Sequence, residues 1–320
     1  MERLLKSKFK IGSKIGENPF SLTYQGTTLS GEQPIIIKIY KRGTLNSILI
    51  KSMKQKVKAL QELIHPGIAR LLDGDYGWQG FYYVREYVEG TPLSKLLQYK
   101  KPDINEAEKW MVLICEALRA AHQQGIVHGA LKPTNIFLDR GNQVKLTDFV
   151  IEGEIKESLP QKAQSLLEAG PYLSPEELLG FSAGISSDIY NAGFVLKQML
   201  NGSKTVEAPL AKLSPAPTLP PNLPHYLEEI LLKALQVDPL LRFHNMGDLI
   251  DSLKNKTIVE KQSLIDWPPI ELENAPRAEE KAVRTIKSER KRSFFLLIVV
   301  LLATLAGVIY ALINSFFLRQ

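Results

Sequence analysis

Residues 9–90 contain short segments with the composition and period of β-strands. One longer stretch among them, about Leu45–Leu63, has the spacing of a helix instead. From Leu93 onward the helical period dominates. The clearest predicted strands are Ile35–Tyr40 and Phe81–Val88, and the predicted helices of the second part are Glu106–Gln123, Ser187–Leu200 and Leu227–Leu241.

A hairpin-like pair of strands, Ile136–Leu138 and Val144–Thr147, interrupts the helical part. The turn-forming run Asp139-Arg140-Gly141-Asn142 joins them. Six prolines within residues 205–224 indicate a loop. A small strand-rich lobe followed by a helical lobe is an α+β arrangement, and it predicts one domain over residues 1–252 with lobes at about 1–90 and 91–252.

The C-terminal part has a different pattern. Residues 294–313 form a run of twenty residues without a charge, which is about the length that a helix needs to cross a bilayer. No polar stripe interrupts the run, so a buried core helix is a poor explanation. We therefore predict a linker at 253–293, a transmembrane helix at 294–313 and a short tail at 314–320 on the far side.

Charge adds to this picture. The net charge is +6, and residues 277–293 carry seven Lys or Arg against three Glu directly before the apolar run. Cationic flanks tend to stay in the cytoplasm, and no apolar run follows the charged N-terminus as in a secretory signal. The sequence therefore predicts a single-pass membrane protein whose N-terminal domain is cytoplasmic.

Composition excludes several other classes. With 44% hydrophobic and 23% charged residues, the chain is neither disordered nor wholly membranous. The single cysteine, Cys115, excludes an internal disulfide framework, fits a reducing compartment and is best explained as a core residue. Zinc-ligand spacing and basic residues interleaved with aromatic ones are lacking, so we expect no nucleic-acid partner.

Eight short motifs occur in the order and spacing of the protein kinases, and the chain resembles that family over about residues 9–252. The first three are Ile35-Ile36-Ile37-Lys38, His65-Pro66-Gly67-Ile68 and the inter-lobe hinge Val84-Arg85-Glu86-Tyr87-Val88-Glu89-Gly90. The others are His128-Gly129-Ala130-Leu131-Lys132-Pro133-Thr134-Asn135, Asp148-Phe149-Val150, Ser174-Pro175-Glu176, Ser187-Asp188-Ile189-Tyr190-Asn191-Ala192-Gly193 and Arg242. The segment Leu131-Lys132-Pro133 resembles the corresponding segment of bacterial-like Ser/Thr kinases.

The resemblance implies a two-lobed kinase fold with an ATP site between the lobes. It assigns Lys38 to the phosphates of ATP, Lys132 to the terminal phosphate, and Asn135 and Asp148 to Mg²⁺, which prefers such oxygen ligands. The nucleotide would also be bound by Ile15, Gly16, Thr23, Glu86, Val88 and Phe137. It implies structural roles for Leu60, His128 and Phe149 in an apolar spine, for Asp188 beneath the catalytic loop, and for Glu176 and Arg242 as an ion pair.

Several positions depart from the family pattern. Ala130 occupies the position of the catalytic aspartate, and its methyl group cannot accept a proton. Lys56 occupies the position of the glutamate that should pair with Lys38, so we expect an outward helix or a lysine that points to solvent. The phosphate loop keeps one glycine, Gly16. Arg85 lies beside the adenine pocket and either folds outward or fills it.

These features together predict a membrane-tethered pseudokinase that binds nucleotide and acts as a signalling or scaffolding module. The alternative is a weakly active Ser/Thr kinase, in which solvent or another carboxylate such as Asp139 or Asp148 takes the proton. A third interpretation is a structural component with an empty pocket. ATP with Mg²⁺ is the expected ligand, and cytoplasmic proteins, together with a second copy bound through the transmembrane helix, are the expected partners.

Overall fold

A six-stranded antiparallel sheet forms from the strand-rich part of the chain. The structure is a computed structural model, and it describes residues 4–17, 21–149, 172–179, 181–202 and 217–259. The strands lie side by side in the order β1-β2-β3-β4-β6-β5. Their bounds are β1 Leu4–Leu5, β2 Phe9–Glu17, β3 Ser21–Thr28, β4 Pro34–Lys41, β5 Leu71–Gly77 and β6 Gly80–Glu86.

The two faces of this sheet differ because successive side chains of a strand point to opposite sides. Ile35, Ile37 and Ile39 of β4 pack with Phe9 and Val84 in a small apolar cluster on one face. The other face of β4 carries Lys38. Apart from Lys38, this second face is also apolar, since Ile36 and Tyr40 are buried there.

The register of β3, β4 and β6 brings the candidate polar residues together. Lys38 lies opposite Thr23 on one side and opposite Tyr83 on the other. Arg85 lies opposite Ile36, two residues along the same face. The backbone pairing therefore places Thr23, Lys38, Tyr83 and Arg85 on a single face of the sheet.

Helix α1, Ser47–Glu62, packs against β5. Asn46 caps it, because its side chain accepts a hydrogen bond from the backbone N–H of Leu49 at 2.8 Å. Its buried positions, Leu49, Met53, Val57 and Leu60, recur every three or four residues. The helix predicted at about Leu45–Leu63 is therefore present, with ends two residues and one residue inside that range.

The second part of the chain is helical. Helix α5 is its centre, because every residue from Ser187 to Leu200 is buried, and it packs against α3 and α6. A three-stranded sheet, β7-β8-β9, lies beside the helices. The bounds are β7 Thr91–Pro92, α2 Leu93–Tyr99, α3 Ile104–Gln123, β8 Ile136–Leu138, β9 Val144–Leu146, α4 Pro175–Leu178, α5 Ile185–Asn201, α6 His225–Ala234 and α7 Met246–Asn255.

One predicted helix is too long. The prediction of Leu227–Leu241 is wrong at its end, since α6 stops at Ala234. Pro239 cannot continue a helix and biases the residue before it toward an extended conformation. The side chain of Asp238 instead accepts from the backbone N–H of Leu240 at 2.9 Å and caps a separate 3₁₀ turn, Pro239–Leu241.

The C-terminal predictions fall largely beyond the described ranges. The predicted domain boundary at residue 252 lies inside α7, which continues to Asn255. The predicted transmembrane run, 294–313, and the tail, 314–320, lie outside the described residues, as does most of the linker. Among the helices that the structure does describe, none is long and apolar enough to cross a bilayer.

Gly26 of β3 provides a test of this sheet. A Cβ atom at Gly26 would lie 2.3 Å from the backbone oxygen of Lys10. We expect Gly26→Ala to lower the free energy of unfolding by about 1–3 kcal/mol, since the neighbouring strand must move. Denaturant unfolding of the full-length chain in mild detergent measures this change.

Gly31→Ala is the matched control, because a Cβ at Gly31 meets only a side-chain carbon of Gln33 at 3.9 Å. It should change the free energy by no more than about 0.5 kcal/mol. Equal effects of the two substitutions would contradict the close approach of β2 and β3.

Candidate active site

A buried carboxylate anchors the backbone of the candidate catalytic loop, residues 128–135. Asp188 of α5 accepts hydrogen bonds from the backbone N–H groups of His128 at 2.8 Å and Gly129 at 2.9 Å. Gly129 has φ 64°, a conformation that glycine adopts without strain. The ring of His122 also contacts Asp188, with Nε2 2.8 Å from Oδ2. The loop therefore has a fixed backbone.

Ala130 follows in this loop, and its side chain is only 2% exposed. Its carbonyl oxygen accepts a hydrogen bond from Nδ2 of Asn135 at 3.0 Å, which anchors that amide to the loop. Lys132, from the same loop, is also buried. The loop therefore keeps two polar side chains, Lys132 and Asn135, while position 130 has a methyl group without acid–base chemistry.

The carboxylate of Asp148 is the most heavily engaged group of the site. Its Oδ1 accepts a hydrogen bond from the Tyr83 hydroxyl at 2.7 Å and one from Nε of Arg85 at 3.3 Å. Its Oδ2 lies 4.0 Å from Nζ of Lys38. Asp148 itself has φ 62°, in the left-handed region that Asp reaches more readily than most residues.

These partners decide the charge of Asp148. Burial would raise the pKa of its carboxyl. The positive charges of Lys38 and Arg85, the hydrogen bond from Tyr83 and the charge of Lys132 outweigh burial and hold the pKa well below its usual range. Burial, followed by the neighbouring Asp148 charge, raises the pKa of Tyr83 well above its usual range. Tyr83 is therefore a neutral donor and Asp148 an anion.

Arg85 lies inside the pocket and does not fold outward. Its side chain is 11% exposed, and its Nη1 donates to the backbone oxygen of Glu86 at 3.2 Å. Its guanidinium carbon lies 6.0 Å from the centre of the Phe137 ring. Arg85 therefore fills space between the hinge, the Phe137 ring and Asp148.

The remaining nucleotide-binding candidates lie on β2, on β3, and at the end of β6 or just after it. On β2, Ile15 is 53% exposed, and Gly16 lies opposite Thr23 of β3. Val88 is buried after the end of β6, and the Glu86 carboxylate forms an ion pair with Lys145. Residues 18–20 of the phosphate loop lie outside the described ranges.

Lys56 stands where the family has the glutamate that pairs with the strand lysine, and the outward helix or solvent-directed lysine expected there stays a prediction. Lys56 is half-buried on α1, while Glu62 at the end of the helix is exposed. The acidic group that Lys38 approaches is Asp148.

The apolar residues predicted to join the two lobes are in contact. The rings of His128 and Phe149 have centroids 4.3 Å apart. Leu60, Leu71 and Phe149 line one small cavity together with Tyr83. These residues of α1, β5, β6 and the segment after β9 also belong to one buried hydrophobic cluster.

Arg242 and Glu176 form a two-pronged ion pair. Nη1 and Nη2 of Arg242 donate to the two carboxylate oxygens of Glu176 at 2.9 and 2.7 Å. The Arg242 side chain is fully buried, and its other donors bond to the backbone oxygens of Gln236, Ser186 and Val237. Such complete pairing offsets the cost of burying a charge.

This arrangement can be compared with known proteins. The sequence profile of the protein kinase domain matches residues 9–243. The chain belongs to the protein kinase family. Kinases of this family normally use ATP and Mg²⁺, and they need a positioned lysine, metal ligands and a residue that orients the attacking hydroxyl.

The similar kinases are bacterial Ser/Thr kinases. The chain is 28% identical over 274 residues to the probable serine/threonine-protein kinase PknB of Lactococcus lactis, covering 81% of this chain and 44% of that one. It is 29% identical over 315 residues to PrkC of Bacillus subtilis, covering 90% and 49%. The chain therefore spans about half the length of these kinases.

A solved structure shows the same fold. The kinase domain of Mycobacterium tuberculosis PknI has a TM-score of 0.63 and 18% identity, covering 79% of this chain and 98% of that one. The two-lobed kinase fold, with a β-rich first lobe and a helical second lobe, is thereby confirmed.

The metal-binding part of this kinase site does not fit Mg²⁺ in its present arrangement. Asn135 has suitable chemistry, but Oδ1 of Asp148 already accepts from two donors, and one of them is a guanidinium. A divalent cation beside Arg85 would meet a like charge. The residues of a kinase metal site are present, yet a side chain that the family pattern does not require competes for one of them.

Tyr83 is the residue that the sequence analysis missed. It stands two positions before Arg85 in β6 and opposite Lys38 in β4. The alternation of a strand places all three side chains on one face, so the hinge motif and the lysine motif together could have indicated it.

Glu176 gives a prediction about stability. We expect Glu176→Gln to lower the free energy of unfolding at pH 7 by about 3–5 kcal/mol, because Arg242 would stay buried without an anionic partner. Burial raises the pKa of Glu176, but the hydrogen bonds from Arg242 and Ser187 outweigh it and lower the pKa overall. Denaturant unfolding of the full-length chain across a pH series measures both effects.

The sign of the pH effect follows from the lowered pKa. The ionised carboxylate stabilises the fold above the ordinary glutamate pKa of about 4.3, and this contribution disappears as the pH falls through the lower folded-state pKa. The difference between wild type and Glu176→Gln should shrink over that window. Glu228→Gln, at a half-exposed glutamate, should cost no more than about 0.5 kcal/mol; an equal cost at both sites would contradict a stabilising role of the buried Glu176–Arg242 ion pair.

Proposed function

We propose that this chain is a membrane-tethered pseudokinase that binds nucleotide and acts as a signalling or scaffolding module. The observation that carries the proposal is the buried methyl group of Ala130 in an otherwise ordered catalytic loop. General-base catalysis typically contributes about 10²–10⁴ in rate, so its loss would cripple phosphate transfer.

The nearby carboxylates are poor replacements for the missing base. Oδ1 of Asp139 accepts from the backbone N–H groups of Gly141 at 2.7 Å and Gln143 at 2.9 Å, which ties it into the β8–β9 turn. Asp148 is engaged by Tyr83 and Arg85, and its lowered pKa makes it a weak base. Neither Asp139 nor Asp148 is therefore well placed to accept the proton of a substrate hydroxyl.

Arg85 also works against ordinary turnover. Its guanidinium bonds to the Glu86 carbonyl and lies over Phe137, where the family resemblance places adenine. A nucleotide must displace at least the Glu86 contact before the base can use the hinge. This competition should weaken nucleotide binding.

The framework that presents the domain to other proteins is intact. The contacts of Asp188 with the loop, the Glu176–Arg242 pair and the His128–Phe149 packing hold the helical lobe and the loop in place. A stable domain with an impaired reaction centre suits a protein-binding role, and cytoplasmic proteins are the proposed partners.

The alternative is a weakly active Ser/Thr kinase. Its support is the similarity to bacterial Ser/Thr kinases and the presence of Lys38, Lys132, Asn135 and Asp148 in the site. In that case solvent would take the proton from the substrate hydroxyl.

Membrane tethering rests on the sequence. The uncharged run 294–313 and the seven basic residues within 277–293 support a single-pass anchor with the kinase-like domain on the cytoplasmic side. Pairing of two copies through this helix would bring two domains together.

Phosphate transfer is the direct test of the pseudokinase proposal. The full-length chain in mild detergent, incubated with γ-labelled ATP and Mg²⁺, should label neither itself nor a basic protein substrate above background. The missing base should reduce transfer by at least about 10² relative to an active kinase assayed in parallel.

Lys38→Ala sets the background, because it removes the cation assigned to the phosphates. Labelling by wild type that Lys38→Ala abolishes would overturn the pseudokinase proposal and favour the weakly active kinase. Labelling that persists in Lys38→Ala would come from a contaminating kinase.

The anchor has its own test. We expect the full-length chain to stay in the membrane pellet after washing with alkaline carbonate. The double substitution Val300→Arg with Leu305→Arg should release it, because an arginine near the centre of a span costs about 2.5–3.5 kcal/mol. Fractionation followed by immunoblotting measures the distribution.

The matched control places the same two arginines at Thr285 and Ser288 of the linker, where they should leave the chain in the pellet. Release by the linker variant as well, or no release by the variant with Val300→Arg and Leu305→Arg, would argue against a span at 294–313.

A further inference from the structure

Both oxygens of the Asp148 carboxylate have a cation beside them. Nε of Arg85 is 3.3 Å from Oδ1, and Nζ of Lys38 is 4.0 Å from Oδ2. The Tyr83 hydroxyl occupies a further acceptor position on Oδ1 at 2.7 Å. The family resemblance assigns this carboxylate to the metal, yet its Oδ1 already accepts from two donors and its Oδ2 has an ammonium group 4.0 Å away.

A magnesium ion would have to enter among these groups. Mg²⁺ binds oxygen at about 2.0–2.1 Å, so an ion on Oδ1 could lie no farther than about 5.4 Å from the Arg85 guanidinium nitrogen. Two positive charges at that separation repel each other, and the small exposure of both side chains limits screening by solvent.

The same surroundings favour an anion. Lys38 and Arg85 lie beside the two oxygens of Asp148, and the positive charge of Lys132 also acts on this carboxylate. A phosphate group is a better acceptor for a guanidinium than the neutral Glu86 carbonyl that Arg85 now uses. Arg85 can therefore exchange that contact for a phosphate while it keeps Asp148.

We propose that the Arg85 guanidinium takes the place of the divalent cation at Asp148, so that this pocket accepts a phosphorylated ligand in its metal-free form. The inference rests on the proposed nucleotide-binding function and specifies its ligand class, with ATP as the probe. Arg85 is then the residue that decides metal dependence, and Tyr83 positions the carboxylate beside it.

The test compares ATP binding with and without metal. Isothermal titration of the full-length chain in mild detergent is carried out in EDTA and again in excess Mg²⁺. For wild type we expect the two dissociation constants to agree within about threefold. For Arg85→Met, which frees one oxygen of Asp148 from its cation, we expect Mg²⁺ to tighten binding at least about tenfold, or about 1.4 kcal/mol.

Two variants separate charge from shape. Arg85→Lys keeps the cation and should bind ATP as wild type does, indifferent to Mg²⁺. Arg85→Gln keeps a polar side chain without the charge and should resemble Arg85→Met, which keeps the test available if the methionine variant does not fold. Arg140→Met, in the exposed β8–β9 turn, changes the net charge equally and should leave metal dependence unchanged.

The result that overturns the inference is a wild-type chain that binds ATP at least about tenfold more tightly with Mg²⁺ or fails to bind it without metal. Neutral substitutions of Arg85 that remain indifferent to Mg²⁺ would also overturn it. The pseudokinase proposal fails on a different readout, phosphate transfer that Lys38→Ala abolishes, so the two failures are distinguishable.

Discussion

The carboxylate of Asp148 receives a hydrogen bond from Tyr83 and an ion pair from Arg85, and both side chains come from strand β6. Lys38, on the neighbouring strand β4, approaches the other oxygen. Three donors on one face of the sheet thus converge on a residue that follows β9 in the second sheet. This convergence fixes the charge of the site and the space available in it. A ligand must therefore either bind these side chains or displace them.

The electrostatic balance of this cluster separates the chain from an ordinary kinase. In the family, a metal ion supplies positive charge between a carboxylate and the phosphates of ATP. Here a guanidinium supplies positive charge at the same carboxylate and also uses a hinge carbonyl. A permanent side-chain cation needs no dissolved metal, but it also fills space. These effects and the methyl group of Ala130 are the departures from the family pattern on which the proposed pseudokinase function rests.

The buried polar contacts that support the catalytic loop and the helical lobe are retained. Asp188 retains its contacts with the loop backbone, and Arg242 has a partner for each of its nitrogen atoms. Removing one member of such a buried network leaves a charge or donor unsatisfied, which is costly for stability. Ala130 and Gly129 cause no such cost, since a methyl group and a hydrogen are satisfied without partners. Alanine and glycine at these two positions are therefore compatible with a stable fold.

The sequence by itself determined the two-lobed kinase fold and the order of its main elements, and it predicted candidate site residues. Strand and helix periods are local properties, and the motif spacing around Lys38, Asn135 and Asp148 is a property of the chain alone. Its errors were local as well, such as the helix extended past Ala234 despite Pro239. The sequence also showed that position 130 has no side-chain group that can accept a proton, because this follows from the residue type alone.

Only the tertiary structure decided what Arg85 does. The sequence allowed this side chain to fold outward or to fill the pocket, since a long flexible side chain has many rotamers and its choice depends on distant partners. The register between β4 and β6 and the position of Asp148 after β9 supply those partners: a carboxylate, a hinge carbonyl and an aromatic face. Strand alternation could have placed Tyr83 on the face of Lys38, but its contact with Asp148, 65 residues along the chain, forms only when the two sheets are assembled.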